Sequence, residues 1–526
     1  MQKKIYSLAV LAIIFINCSA QIFQKTFNNN GGDDDGGLCS KTINGAYYIS
    51  GGILNIPSSS YDMTLIKMDG NVDTVWTRNY GGPSSDGGVV FVDTNQPYII
   101  GGVGSPSFGE YDIIFMKINP ENGDTLWTKR YGTTLSECYS GICKTSDGGF
   151  LISALRNTIT SPPFNWLLIK TDSIGEIIWA KEYDGGNDDN NFRILQKSNG
   201  SFVLAGSSNS FGAGDYDVII CKLDSNGNLL VCKTFGGLFS DGASSIKPCN
   251  GGYIISGITK NWGAGGDDIM LIKIDTNLNI DWAKAYGTSS DENGTVEVTS
   301  DGQFVIAGRI GLTSSSNWDS YLIKTDPSGN LIWSKKYSAS ANQDWANSVI
   351  ETDDKGYMLN GSTYNSSTGY DIYLIKTDSM GCSGCNQQDV TTTTTDITSL
   401  LQIGTGTLTV SNPGLMVANA PLNMWSGLHE DTLCYSGVGI EEANIIKNDI
   451  FVFPNPTTGK VEVKNDNSEI KSLEIYNIQG QIVKTIINNQ SKTTNEIDIS
   501  ALPDGIYLLK IQSDKKSVIR KIIKIN

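Results

Sequence analysis

The feature that most constrains this chain is a stretch that returns at a nearly constant interval. Trp318–Tyr337 reads WDSYLIKTDPSGNLIWSKKY, and recognisable copies run along most of the sequence. The Asp near the start of each copy stands at Asp62, Asp112, Asp217, Asp268, Asp319 and Asp371, with Asn165 in the remaining place, at intervals of 50 to 53 residues. Each interval holds short apolar runs separated by turn residues, the signature of repeated β units and not of a helical solenoid.

Four runs of strand length recur in each unit. One is β-branched and aromatic and closes on glycine, as in FVLAG from Phe202 and YIISG from Tyr253. The second follows the marker Asp, as in YDIIFMK from Tyr111. A short Asp/Ser/Gly/Asn segment, such as Asp224–Asn228, then leads into an aromatic run carrying Trp76, Trp127, Trp179, Trp282 or Trp333, with Val231 as the exception. Such segments supply the positive φ and side-chain-to-backbone bonds of tight hairpins. The fourth run follows an acidic loop, as in ENGTVEVTS from Glu292. Near the N-terminus, IFQKTF from Ile22 matches IWSKKY from Ile332, so the chain starts on an aromatic run while its last copy stops near Asp378. The expectation is an all-β chain: a seven-bladed β-propeller over 21–381, four strands per blade, with the N-terminal strand pairing with Tyr370–Lys376 to close the last blade and hide its edges. The pattern resembles kelch-type propellers over about 22–381, where a β-run ending Gly-Gly, a run ending near Asp and a downstream Trp recur in that order.

Residues 1–20 read as a signal peptide, with Lys3 and Lys4, an apolar run through Phe15 and small residues up to Ala20. A lipoprotein reading would anchor Cys18, but Ile16 and Asn17 precede it where small residues are wanted. No later segment is long and apolar enough for a membrane-spanning helix. A net charge of −16 speaks against a nucleic-acid surface. Export makes disulfides available to the nine cysteines after Cys18. If Asn226-Gly227 is a two-residue turn, Cys221 lies opposite Cys232, where a bridge and two buried thiols are both reasonable. For Cys382 and Cys385, a local disulfide or one to Cys434 is favoured over redox or zinc chemistry.

The loop before the fourth run carries Asp33 to Asp35, Asp86, Asp188, Asp189, Asp241, Asp291 and Asp344. Carboxylates suit calcium, yet no spaced Asp-x-Asp-x-Asp-Gly loop is present, and caps on local amides are the preferred reading, with no cofactor expected. The tight hairpins gather at one end of each unit and the variable loops at the other. Those loops carry Phe108, Phe164, Phe211, Trp262 and Tyr364 among Ser, Asn and Gly, which suits stacking on a sugar or an extended peptide; aromatics packing their own loops are the alternative. The single histidine, His429, lies outside the repeats, so no Ser-His-Asp or polyhistidine site forms within them. A carboxylate pair for glycoside cleavage stays open because separation is not readable from sequence.

After Gly381 the repeat stops. Residues 382–448, rich in Thr, Asn and Gly, read as an extended β-rich connector. Residues 449–526 show seven alternating runs, as in an immunoglobulin-like β-sandwich. FPNPTTGKVEV, LEIYNIQGQIV, IDISALPDGIYLLKI and RKIIKIN, in that order, resemble the C-terminal sorting domain of type IX secretion cargo. The matching residues are Pro454, Asn455, Pro456, Gly459, Gly480, Leu502, Gly505, Tyr507 and Lys510. The resemblance implies passage through the type IX machinery, removal of the domain by a sortase-like peptidase, and a product released or held at the cell surface. The expected protein is thus a secreted, non-catalytic binding module for glycan or protein, with a polysaccharide hydrolase or lyase, or a passive envelope component, as alternatives.

Overall fold

The computed structural model describes residues 22–29, 34–42, 44–55, 60–82, 84–93, 95–104, 111–157, 164–312, 317–418, 422–426, 428–436, 450–453, 457–465, 470–477, 481–487, 494–513 and 517–524. The signal-peptide reading at 1–20 lies outside them. The chain divides into two units, 1–436 and 437–526, and the described residues contain no helix long and apolar enough to cross a membrane.

Among the described residues the first unit holds seven five-stranded antiparallel sheets, a propeller-like all-β arrangement. The first four strands of sheets 1 to 6 are consecutive in sequence, starting at Asp34, Asp86, Glu137, Asp189, Asp241 and Asp291. Sheet 7 takes Asp344–Glu351, Tyr357–Asn365 and Gly369–Thr377, and its fourth strand is the N-terminal Ile22–Asn28, paired through Phe23↔Lys376 to Phe27↔Ile372. The first strand of each sheet packs on the preceding sheet, and that of sheet 1 packs on sheet 7. Middle strands such as Phe202–Ser208 and Asp217–Leu223 are buried almost throughout, which explains why their runs are apolar without alternation.

One contact recurs from sheet to sheet. The fourth-strand Tyr donates its hydroxyl to the carbonyl of a hairpin glycine in the next sheet: Tyr80 to Gly123 (2.6 Å), Tyr131 to Gly175 (2.7 Å), Tyr183 to Gly227 (2.6 Å), Tyr286 to Gly329 (2.6 Å) and Tyr337 to Gly381 (2.7 Å). The Trp four residues earlier lies against the same glycine, leaving no room for a Cβ. Where the tyrosine is Phe235 or Phe27, the hairpin position is Leu278 or Val72, each at positive φ and buried in the adjoining core. A side chain thus fills the space where the hydroxyl bond is missing.

The described residues of 387–436, part of the expected connector 382–448, supply the fifth strand of each of these seven sheets. Gln387–Asp389 joins sheet 6, Thr393–Asp396 sheet 5, Gln402–Gly406 sheet 4, Thr409–Ser411 sheet 3, Met416–Ala418 sheet 2, Asn423–Trp425 sheet 1 and His429–Ser436 sheet 7. This girdle runs in reverse sheet order and ends on the N-terminal strand, with Gln24 opposite Cys434. Between its strands, aliphatic pegs enter successive cores: Val390, Ile397 with Leu401, Leu408, Leu415, Leu422 and Leu428. A Cys385–Cys434 disulfide joins its two ends, and Gln24 Nε2 donates to the Cys385 carbonyl at 2.7 Å. A second disulfide links Cys221 and Cys232, which are directly opposite in sheet 4.

The second unit contains a three-stranded sheet (Ile450–Phe453, Lys460–Asn465, Thr494–Asp498) and a four-stranded one (Ile482–Ile487, Ile470–Tyr476, Gly505–Ser513, Ser517–Lys524). They share one core built from Val461, Val463, Leu473, Ile497, Leu509 and Ile522 among others.

Candidate functional site

Chain direction gathers, at one end of each sheet, the loop after the second strand, the start of the third, and the loop leading into the next sheet. This loop end carries two sets of buried acids. The first-strand acids accept backbone N–H bonds from the residue four earlier: Gly82 to Asp86 (2.6 Å), Thr133 to Glu137 (3.1 Å), Gly185 to Asp189 (3.0 Å), Gly237 to Asp241 (2.7 Å), Thr288 to Glu292 (3.2 Å) and Ser340 to Asp344 (3.1 Å). In sheet 6 the capping acid is therefore Glu292, while Asp291 accepts from the Asp267 N–H. Asp188 accepts from the Phe164 N–H at 3.1 Å and from the Tyr216 hydroxyl. Asp33 and the side chains of Asp34 and Asp35 lie outside the described residues.

The third-strand marker acids Asp217 and Asp268 cap the preceding loop, through Ala213 and Gly214 or Ala264 and Gly265. Oδ1 of each presses on the glycine that ends the fourth strand: a Cβ on Gly236 would sit 1.6 Å from Asp217 Oδ1, and one on Gly287 1.3 Å from Asp268 Oδ1. In sheets 6 and 7 the facing residues are Ser338 and Asn28, and both hydrogen-bond the acid. Sheet 3 has Asp184 at that place and Asn165 as the marker, so two carboxylates never oppose each other there. Burial pushes Asp86, Asp189, Asp241 and Asp344 up to about 6 and Glu292 to about 7, with a neighbouring carboxylate adding to the rise. Among the described residues no group of three or more His, Cys, Asp or Glu gathers as metal ligands would.

The loop aromatics divide. Phe108 lies outside the described residues. Phe164 is half-buried at the start of its strand. Phe211 lies against girdle Gly406, whose Cβ would meet the ring at 2.9 Å. Trp262 packs on the core that receives girdle Ile397 and Leu401, and also lines a cavity of about 290 Å³ with Asp268 and girdle Thr395. Tyr364 lines a larger one of about 590 Å³ with Ser340, Asn342, Asn365, Asp371 and girdle Asp431. Tyr364 packs edge-on to Tyr370 (5.2 Å between centroids), which contacts Trp345 in turn (5.1 Å), so two further rings stand behind the one that lines the cavity. A third cavity of about 470 Å³ lies between Ser290, Asn317, Asp319, Lys336 and girdle Asp389. The loop aromatics were readable in the sequence, but the girdle residues that complete each wall were not.

In the second unit, the sorting-motif residues that are described have structural positions. The Gly459 carbonyl accepts from the Ile499 N–H at 2.6 Å, and the Leu502 N–H bonds the Ile499 carbonyl at 2.9 Å. The Tyr507 hydroxyl donates to the Pro503 carbonyl at 2.7 Å, and Lys510 pairs with Glu474 at 3.0 Å. Gly505 opens the strand that crosses both neighbours. Pro454, Asn455, Pro456 and Gly480 lie outside the described residues.

Residues 451–526 match the family model of the secretion system C-terminal sorting domain. The second unit is accordingly a sorting domain of the type IX route; the chain is cargo that engages that machinery and is secreted or reaches the outer surface. No curated protein matches the chain. Among solved structures it is similar to the polysaccharide lyase Uly1, with 8% identity, a TM-score of 0.36, and 67% of this chain and 90% of that one covered. A protein of unknown function from Dyadobacter fermentans DSM 18053 gives 8%, 0.35, 68% and 98%. PorZ, described as an essential surface component of the type-IX secretion system of Porphyromonas gingivalis, gives 8%, 0.17, 95% and 100%. Similarity at this level carries no argument about activity.

Proposed function

We propose that the seven sheets are the blades of one closed, kelch-like propeller, that a signal peptide and the immunoglobulin-like sorting domain export it, and that its loop end is a non-catalytic binding site for a glycan. Pairing of Ile22–Asn28 with Gly369–Thr377 and packing of sheet 1 on sheet 7 support closure. The observation that carries the binding reading is the open cavity of about 590 Å³ at Tyr364, whose ring, backed edge-on by Tyr370, adjoins amide, hydroxyl and carboxylate groups. That combination matches the alternating apolar faces and hydroxyls of a sugar. A sortase-like peptidase acting at the sorting domain would then release or anchor the product.

A hydrolase or lyase would use carboxylates at the same face. The raised acids recur from sheet to sheet as loop caps, which favours their structural role. The test is a glycan array probed with the purified chain lacking residues 1–20, with calcium and with chelator, and with array products checked for cleavage. Binding without cleavage that Tyr364→Ala abolishes is the expected outcome. Cleavage would move the reading to an enzyme, and silence on all glycans to a protein partner or a passive envelope role.

A further inference from the structure

The three cavities occupy the same place in three adjacent sheets. In each, the lining includes the end of the second strand or the loop after it, the third-strand marker acid (Asp268, Asp319 or Asp371), and girdle chain: Thr395 in sheet 5, Asp389 to Thr391 in sheet 6, and Asp431 to Leu433 in sheet 7. The fourth strand contributes equivalent residues in two of them, because Lys336 and Thr26 each stand two places before the residue facing the marker acid. In sheet 4, Phe211 lies against girdle Gly406 at the corresponding place. The cavities therefore result from laying the girdle along the loop end of a repeated sheet, and their number depends on what each loop carries.

Resting on the glycan reading above, we infer that the girdle-walled cavities of sheets 5, 6 and 7 are three separate binding sites for a neutral glycan, so that the chain attaches to a glycan-bearing surface at several points. The charge pattern sets the class. Asp268, Asp319, Asp389, Asp371 and Asp431 line the cavities, the bordering lysines are already committed (Lys336 to Asp319 at 2.7 Å, Lys260 to Asp267 at 3.6 Å), and the whole chain carries −16. An anionic polymer would meet like charge in the sheet 7 cavity, and in the sheet 5 and sheet 6 cavities only lysines already paired with acids, since Lys335 is bound to Asp389 as Lys336 is to Asp319. Hydroxyl and amide donors at the rims, including Ser340, Asn342, Asn365 and Asn317, suit an uncharged polyol.

Three modest sites on one face act together on a displayed glycan, with avidity about 10²- to 10⁴-fold above a single site. The experiment uses the secreted chain with four uncharged probes: mannohexaose, cellohexaose, galactohexaose and xylohexaose, each free and coupled in many copies to a dextran surface. Native mass spectrometry counts free oligosaccharides bound, and surface plasmon resonance compares the two presentations. Three bound oligosaccharides per chain, and at least about 100-fold tighter binding to the coupled form, are expected for the recognised probe. Ser366→Trp and Thr391→Trp, both at exposed positions, fill the sheet 7 and sheet 6 cavities, and each should lower the count by one. A count of one, or a count of three that neither substitution changes, overturns the three-site inference while leaving the glycan reading standing. No binding of any probe, free or coupled, overturns the neutral-glycan inference, and silence on the whole array overturns the glycan reading with it.

Discussion

The first unit is made of two kinds of strand, and they are held in different ways. The four inner strands of each sheet are seven to nine residues long, and the middle two are apolar and largely buried between neighbours; the girdle strands are mostly three to five residues long, rich in Thr, Asn and Gly, and largely exposed. An inner strand is placed by its side chains, through cores such as that of Val218, Ile220, Ile255 and Ile272. A girdle strand is placed by backbone pairing to an open edge, by about one aliphatic peg per sheet, and by a covalent join between its ends. The contrast teaches that an outer strand needs almost no apolar pattern of its own when its neighbours offer an edge and a socket.

The largest expected effect separates the two kinds by pH. The raised acids Asp86, Asp189, Asp241, Asp344 and Glu292 all belong to inner strands. Raised groups contribute stability that is complete below the unfolded value, near 4, and is lost as pH rises through about 6 to 7. Against the cost of burial, hydrogen bonds from Lys170 and Thr145 hold Asp147 down to about 2, so its share is lost in the opposite direction, below pH 4. Denaturant unfolding should therefore show a maximum near pH 4.5 to 5 and a loss of several kcal/mol by pH 8; a flat profile would mean that the acids are not buried as described.

Opening the clasp sharpens the comparison from the other side. Cys434→Ser should cost about 4 kcal/mol, from the 49-residue separation it closes, against about 3 for Cys232→Ser, whose partner is 11 residues away. Hydrogen exchange of the girdle strands should rise together in the first variant and stay unchanged in the second. Within the inner strands, Gly287→Ala should cost about 2 to 4 kcal/mol, because its Cβ would overlap Asp268 Oδ1, while Gly52→Ala, with nothing within 4 Å, should be near neutral. Equal melting shifts for the two would break the account of the marker acid. Leu408→Ala, removing one buried peg, should cost about 2 to 3 kcal/mol, with faster exchange confined to 402–411.

The inner architecture was legible because its causes are local and repeated. The marker Asp, the Trp and Tyr of the fourth strand and the Gly of the next hairpin each answer one contact that returns at every step. Even the exceptions carried information: Asn165 occurs with Asp184 at the facing place, and the missing Trp at Val231 occurs with Phe235 and Leu278. The girdle was not legible as such, because a three-residue strand of polar residues has no period of its own. A signal was nonetheless present, in the seven-residue spacing of Leu401, Leu408, Leu415 and Leu422. It repeats once per sheet rather than once per turn of structure, so neither strand nor helix periodicity reveals it. The cavities were half legible, since Trp262 and Tyr364 stood out as loop aromatics while Asp389, Thr395 and Asp431 take their meaning only from docking.

The most direct test of the central claim is hydrogen exchange on the secreted chain with and without a saturating glycan taken from the array screen. The account predicts slowed exchange at the loop end and in the girdle together, at 340–342, 363–366 and 431–433, with none in the hairpins 69–73 and 119–124. Protection confined to the hairpin end, or slowed loops with an unaffected girdle, would contradict it.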